Sequence, residues 1–243
     1  MAKSKDYRER FYRKWIDPGN LITREIIAGE TDIFVSARKD VSAAAEALTR
    51  EYRDQISGYI KKHPDFKNSL EPLMIDPGAG DIIKEMIRTS LLAGVGPMAS
   101  VAGAIAEFVG KGLLEHTEEV IIENGGDIFM KSGIKRRVAV YAGESPLNNK
   151  IFLEIKPEDT PLGICASSGT VGHSLSFGKA DACVIISPSA ALADAVATAT
   201  CNRVKSSGDI KEALKLALSI KDIKGALIIY GKDLGVLGDI TLK

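Results

Sequence analysis

The stretch "EVIIENGGDIFM", residues 119–130, has the pattern of a strand, a glycine turn and a second strand. Gly125 and Gly126 can adopt positive φ and expose their backbone N–H groups, which suits a tight hairpin. Side-chain oxygens surround this turn, from Glu123, Asn124 and Asp127. The pattern fits either a hairpin built from ordinary turn residues or a loop that faces a ligand.

The residues before this hairpin predict two strands followed by three helices. Alternating apolar residues predict the strands, with a turn near Gly29 between them. The first helix follows a predicted N-cap at Asp40 and ends at "HPDF", because proline disfavours helix in the residue before it. The second helix covers about 81–92. The third covers about 97–114 and is rich in Ala and Gly, so we expect it to pack closely in the core.

The residues after the hairpin mix strands and helices without strict βαβ alternation, which favours the α+β class. Apolar runs predict strands at "RRVAVYAG", "KIFLEIK", "DACVIIS", "GALIIYG" and "GDITLK". Helical periodicity predicts helices at "SPSAALADAVATATCNRV" and "IKEALKLALSI". No repeat or linker divides the chain, so we predict a single domain, residues 1–243, with strands and helices around one shared core.

Composition and charge exclude several classes of partner. The chain has 243 residues, with 32 Lys plus Arg against 32 Asp plus Glu. A net charge of zero gives no general attraction to nucleic acid or to anionic lipid. No apolar run is long enough to span a bilayer, and the charged N-terminus lacks the apolar segment of a secretory signal. We therefore expect a cytoplasmic protein.

The three cysteines, Cys165, Cys183 and Cys201, are too widely spaced for a zinc site or a redox pair. Cys183 and Cys201 are expected to be small buried residues. Cys165 borders a stretch of Ser and Gly, so a functional role is left open for it.

The stretch "SSGTVGHS", residues 167–174, is suited to a phosphate, because its hydroxyl and N–H groups can point inward. Ser167, Ser168, Gly169 and Thr170 are the candidate binding residues. The stretch has no Walker pattern and no nucleophile elbow. His173 is either an acid, base or phosphate donor, or a histidine that is simply hydrogen-bonded in a loop.

Asp194 and Thr198 are four residues apart, so they share one face of a predicted helix. A carboxylate and a hydroxyl offer the hard oxygen ligands that Mg²⁺ prefers, and phosphates and water can complete its coordination. The alternative is a polar stripe in which Thr198 bonds back to its own helix.

Three segments in order resemble the ApbE-like superfamily: "AGVGPMASVAGAIAEFVG", "VIIENGGDIFM" and "SSGTVGHS…SPSAALADAVATAT". The resemblance is strongest to a branch of uncharacterised archaeal and bacterial proteins, and it extends from about residue 5 to the C-terminus. It implies an ApbE-type α+β fold. It also implies the activity of ApbE enzymes, which bind FAD with Mg²⁺ and move FMN onto a threonine of a target protein. Some of them cleave FAD to FMN and AMP.

The resemblance also implies roles for individual residues. "ALADAVAT" is similar to a family helix whose Asp and Thr hold the metal, which implies that Asp194 and Thr198 are the metal ligands. "NGGDI" and "SSG" are similar to segments that line the ligand cleft. They imply contacts from Asn124, Gly125, Gly126, Asp127, Ser167, Ser168 and Gly169. Asp127 and His173 are the predicted catalytic residues.

Two family segments are replaced in this chain. "GPMASVAGA" lacks the lysine of the family's helix start, and "GHSLSFGKADA" replaces a His-x-Ile-x-Asp-Pro-x-Thr-Gly stretch that helps to hold FAD. Three functions therefore stay open. The first is a Mg²⁺-dependent transferase or hydrolase of FAD, FMN or a related phosphate-bearing ligand. The second is a role in sulfide assimilation and homocysteine formation, which requires an accessible Cys165. The third is a binding module without catalysis. The protein partner and a homo-oligomeric state also stay open.

Overall fold

An eight-stranded antiparallel sheet forms the centre of the protein. The computed structural model describes residues 19–171 and 177–243. The strands in chain order are β1 Ile22–Ala28, β2 Thr31–Ala37, β3 Val120–Asn124, β4 Asp127–Lys131, β5 Arg136–Ala139, β6 Phe152–Ile155, β7 Leu162–Ser167, β8 Ala182–Ser187, β9 Gly225–Tyr230 and β10 Asp233–Gly238. The large sheet has the order β1-β2-β3-β4-β7-β8-β9-β10, and β5 and β6 pair separately.

The helices cover one face of the large sheet. They are α1 Ser42–Lys62, α2 Asp65–Asn68, α3 Asp81–Ala93, α4 Val101–Leu113, α5 Ala190–Arg203 and α6 Ile210–Ser219. A 3-10 turn at Pro97–Ser100 leads into α4. Because side chains alternate between the two faces of a strand, Phe129 and Cys165 pack under the helices. Met130 and Ile164 belong to the core on the opposite face, which the residues of β5 and β6 help to close.

The structure confirms the α+β class and most of the predicted elements. The glycine turn joins β3 to β4, with Gly125 at φ 68° and Gly126 at φ 105°. The helix predicted over 97–114 is a 3-10 turn followed by α4. The N-cap of α1 is Val41 and not the predicted Asp40, although the Asp40 carboxylate accepts the N–H of Ser42, the first residue of the helix. The single domain over 1–243 stays a prediction.

One predicted strand in the second half of the chain is wrong, and one strand was missed. The last strand is Asp233–Gly238 and not "GDITLK", since the final residues form only one bridge, from Leu242 to Leu153. The missed strand is β7, which ends at Ser167, the first residue of the Ser/Gly-rich stretch, and pairs with β4 on one side and β8 on the other. This strand was not predicted, because its partners are distant in sequence.

Within residues 19–171 and 177–243, no single helix is long and apolar enough to cross a membrane. Only α3 and Pro97–Leu113 taken together pass that test, and they are bent by 103° relative to each other.

Small residues allow α5 to lie against both α4 and β7. A Cβ on Gly103 in α4 would overlap the carbonyl oxygen of Ala190 and approach the Asp194 Cβ to 2.8 Å. A Cβ on Gly163 in β7 would overlap the backbone of Ala190. All residues from 190 to 197 are buried. The Ala-rich composition of α5 therefore reflects contact on all of its sides.

We expect Gly103→Ala to lower the free energy of unfolding by about 1–3 kcal/mol, because the added methyl group meets backbone that cannot move easily. Gly58→Ala in α1 is the matched control, since a Cβ there has no atom within 4 Å. It should raise stability by roughly 0.5–1 kcal/mol through helix propensity. Urea unfolding of both variants measures the difference. Equal effects would contradict the close α4–α5 contact.

Candidate functional site

Polar residues collect on the helical face of the sheet, at one end of β3, β4 and β7. Asn124 ends β3 and pairs with Asp127, the first residue of β4. The Asp127 Oδ1 accepts the N–H of Ala166 in β7 at 3.2 Å. Ser167 lies two residues after Cys165 and therefore shares its helical face. The structure thus brings together two of the predicted site segments, "NGGDI" and "SSG".

The predicted metal ligands lie on α5 above this end of the sheet. Asp194 and Thr198 are separated by one helical turn on the same face. Asp194 is 8% exposed and Thr198 is half-buried. This pair is therefore accessible from the side of Thr198.

The Asp194 carboxylate closes the N-terminus of α4. Its Oδ2 accepts the N–H of Gly103 at 2.9 Å, and the Ala102 N–H also bonds to this carboxylate. Ser100, the N-cap residue of α4, makes no side-chain cap of its own. Asn124 adds a third link, since its Nδ2 donates to the Ala102 carbonyl at 3.1 Å. The N-terminal donors that could hold a phosphate are therefore used by a carboxylate of the protein.

A second carboxylate accepts hydrogen bonds at the N-terminus of α5. Glu107 in the middle of α4 is 2% exposed. Its Oε2 accepts the Ala191 N–H at 3.0 Å and the Ser189 hydroxyl at 2.9 Å. The Ser189 Oγ in turn accepts the Leu192 N–H. No motif in the sequence indicates Glu107 as a functional residue. The available signal was a lone acidic residue inside an otherwise Ala- and Gly-rich apolar helix.

Two buried carboxylates lie close together at this site. Burial and the neighbouring Asp127 carboxylate raise the pKa of Asp194 well above its usual range, although the two N–H groups from α4 oppose this shift. The arrangement therefore favours either a proton on Asp194 or a bound cation. Within the described residues, no group of three or more His, Cys, Asp or Glu side chains could hold a metal. Any further ligands have to be hydroxyls, backbone carbonyls, water or phosphate.

The loop that begins at Ser168 is held by its own hydrogen bonds. The Ser168 Oγ accepts the N–H groups of Thr170 at 3.1 Å and Val171 at 2.9 Å. The Gly169 N–H donates to the Ala180 carbonyl at 2.9 Å. These groups are therefore used within the loop, and the phosphate contacts of Ser168, Gly169 and Thr170 stay a prediction.

Asp181 anchors the same loop and was not identified from the sequence. Its Oδ1 lies 3.0 Å from the Thr170 Oγ1, and its Oδ2 accepts the Gly231 N–H at 2.6 Å. The Gly231 carbonyl accepts the Ser145 hydroxyl at 2.6 Å. A single carboxylate thus fixes the loop against the β9–β10 turn.

Ser167 differs from the residues that follow it. It is 5% exposed, and its buried Oγ has no hydrogen-bond partner among residues 19–171 and 177–243. A buried hydroxyl without a partner costs free energy unless a ligand or water satisfies it. The Ser167 hydroxyl is therefore the group in this stretch that is best prepared to bind a ligand.

Cys165 is not accessible, although the sulfur-assimilation alternative requires it to be. The residue is fully buried, and its thiol donates to the Ala190 carbonyl at 3.2 Å. Burial raises the pKa of Cys165 well above its usual range, and the Asp127 and Asp194 carboxylates raise it further. This thiol is therefore unreactive in the folded protein, and the sulfur-assimilation alternative loses its basis. Cys183 and Cys201 are buried, as predicted. His173 lies outside the described residues.

Solved structures define the class to which this fold belongs. The flavin transferase ApbE from Vibrio cholerae aligns with a TM-score of 0.63 and 14% identity, covering 90% of this chain and 96% of that one. The ApbE protein from Thermotoga maritima aligns with a TM-score of 0.55 and 13% identity, covering 88% and 96%. The fold is therefore that of the ApbE proteins.

Sequence comparison places the chain within a family. The family model described as "AbpE bacteria" matches residues 13–231, so the chain belongs to that family. A UPF0280 protein from Methanococcus aeolicus is 39% identical, over 90% of this chain and 91% of its own length. A UPF0280 protein from Methanospirillum hungatei is 43% identical, over 82% and 80%. These relatives agree with the resemblance inferred from the motifs.

Asp194 should make stability depend on pH in a defined direction. Because its folded pKa is raised, the folded state binds more protons than the unfolded state above about pH 4, the unfolded value for Asp. This contribution therefore decreases as pH rises toward the folded pKa, by about 1.4 kcal/mol for each pH unit between the two values. The variant Asp194→Asn should lack this decrease.

Urea unfolding of metal-free protein between about pH 4 and 8 tests this expectation, because this range begins at the unfolded pKa of Asp194 and extends toward its raised folded pKa. The exposed Asp233→Asn on β10 is the control and should follow the wild type. If the curves for Asp194→Asn and the wild type stay parallel, Asp194 is not the titrating group.

Proposed function

We propose that the site formed by Asp127, Ser167, Asp194 and Thr198 binds FAD or a related phosphate-bearing nucleotide together with Mg²⁺. The observation that carries this proposal is the buried pair of carboxylates, Asp127 and Asp194, in a fold shared with a flavin transferase. Two like charges in a buried site repel each other, and a divalent cation would remove that repulsion. The donor set therefore fits Mg²⁺, which takes hard oxygen ligands and accepts water and phosphate in its coordination shell.

Asp194 and Thr198 are the residues that would hold the ion. Bound there, Mg²⁺ would neutralise phosphate charge and act as a Lewis acid. Asp194 is already fixed in direction by the N–H of Gly103, so little reorganisation is needed on binding. The unpartnered hydroxyl of Ser167 would donate to a phosphate oxygen, which would satisfy a group that is otherwise buried without a partner.

The reaction that fits this ligand is transfer or hydrolysis at a pyrophosphate. In transfer, a hydroxyl of an acceptor protein attacks the phosphorus on the FMN side, the P–O–P bond breaks and AMP leaves. In hydrolysis, water takes the place of that hydroxyl and the products are FMN and AMP. His173, the predicted acid, would give the leaving phosphate its proton. Asp127 is the second predicted catalytic residue, held in place by the Ala166 N–H.

Thermal unfolding with FAD, FMN, ATP and AMP, each with and without Mg²⁺, tests the binding step. A ligand that binds only the folded state stabilises it by roughly 2.7 kcal/mol at about 100 times its Kd. We expect FAD to raise the melting temperature more with Mg²⁺ than without it. The variants Asp194→Ala and Thr198→Val should lose the Mg²⁺-dependent part of this shift. Thr198→Val keeps the shape of the side chain and removes only the hydroxyl.

The control for this experiment is Asp233→Asn, an exposed carboxylate on β10 that should respond to FAD as the wild type does. Absence of a shift with every ligand would reject the proposed site. Chromatography of FAD incubated with the protein and Mg²⁺ then separates two functions. Release of AMP indicates an enzyme. Tight binding without any product, alone or with an added acceptor protein, would favour the non-catalytic binding module.

A further inference from the structure

The polar line on α5 continues beyond the proposed metal ligands. Asn202 follows Thr198 by four residues, so Asp194, Thr198 and Asn202 occupy successive turns of one helical face. Asp194 is buried, whereas Thr198 and Asn202 are half-buried. At 1.5 Å per residue, Asn202 lies about 12 Å along the helix axis from Asp194. The line therefore leads from the buried end of the cleft toward the surface.

The backbone of Phe177 is hydrogen-bonded to Asn202, at the outer end of this line. Its backbone N–H donates to the Asn202 Oδ1 at 2.7 Å. Its carbonyl accepts a hydrogen bond from the Lys205 Nζ, just beyond the end of α5. The side chains of Asn202 and Lys205 thus fix both the backbone N–H and the backbone carbonyl of Phe177.

The residue after Phe177 is fixed as well. A Cβ on Gly178 would overlap the Cys201 carbonyl in the last turn of α5. A Cβ on Gly169 would overlap the Gly178 carbonyl, so the backbone at Gly178 lies between α5 and the loop that starts at Ser168. Phe177 is therefore positioned by the same elements that form the proposed ligand cleft.

The side chain of Phe177 is nevertheless 53% exposed. The other phenylalanines in the described part of the chain are buried or half-buried. An aromatic ring on a backbone held from both sides loses little conformational freedom when it binds a flat partner. Such a ring offers a π-face to another ring and has no preference for one base.

We propose that Phe177 is the stacking contact for a planar heteroaromatic ring of the nucleotide whose phosphates lie at Asp194 and Thr198. This inference rests on the proposed function. The span of about 12 Å along α5 is on the length scale of a single mononucleotide unit. The ring is either an isoalloxazine or an adenine, since both present the same flat π-face.

Calorimetric titration with Mg²⁺ present, using FMN, AMP, FAD and inorganic pyrophosphate, tests this inference. Phe177→Ala should weaken binding of FAD and of at least one mononucleotide by about five- to a hundredfold, which is the usual effect of losing one stacked ring. Pyrophosphate has no ring, so its affinity should not change. Phe177→Tyr should restore most of the lost affinity. Loss with FMN alone identifies the isoalloxazine, and loss with AMP alone identifies the adenine.

Ile27→Ala is the matched control, because Ile27 is 54% exposed on β1, at the far edge of the sheet. It should bind every ligand as the wild type does. If Phe177→Ala leaves FAD binding unchanged, or weakens pyrophosphate equally, the stacking role is wrong while the proposed site survives. If the wild type binds none of the four ligands, the proposed function fails and this inference fails with it.

Discussion

Two buried carboxylates, one on α4 and one on α5, each accept hydrogen bonds from the N-terminus of the other helix and hold the centre of this protein together. Glu107 of α4 accepts the Ala191 N–H at the start of α5. Asp194 of α5 accepts the N–H groups of Ala102 and Gly103 at the start of α4. Each helix thus supplies an acceptor for the N-terminus of the other, in addition to the side-chain cap that Ser189 gives to α5. Buried N-terminal N–H groups need acceptors, and a charged acceptor is favoured there by the helix dipole. Neither helix can move independently without exposing unpaired groups of both.

These hydrogen bonds to helix N-termini also explain how the site can carry two buried negative charges. The positive ends of two helices partly compensate Glu107 and Asp194, and Lys111 contacts Glu107 at 2.6 Å. Within the described residues, Asp194 has no ion pair with a lysine or arginine, and it faces Asp127 instead. The negative charge that has no compensating cation is therefore located at the end of β4 and β7. It is the physical basis for placing a cation there and not elsewhere along the two helices.

Local patterns in the sequence predicted the parts of the fold that depend on neighbouring residues. The hairpin around Gly125 and Gly126, the apolar side of α3 and the Ala-rich α5 all follow from spacing and composition. The strand β7 was missed because its strand conformation depends on partners in β4 and β8. Glu107 was missed because its partners, Ser189 and Ala191, are more than eighty residues away.

The candidate site was predicted in part for the same reason. The motifs indicated Asn124, Asp127 and Asp194, and the structure places them around the N-terminus of α4. The motifs could not indicate that Cys165 is fully buried, because burial depends on α5 lying over β7. They also could not separate Ser167, whose hydroxyl is unpartnered, from Ser168, whose hydroxyl is used within its loop.

The strands of the large sheet differ in how far they are buried, and this difference decides which strand can open locally. β8 is buried along its whole length, whereas most residues of β1 are exposed or half-buried, and β1 pairs with only one neighbour in the described part of the chain. Amide hydrogens in such an edge strand exchange with solvent through local opening, at a lower free energy than those in the core. β1 can therefore open locally while α4, α5 and β7 stay in place, so the residues of the candidate site keep their arrangement when this edge of the sheet opens.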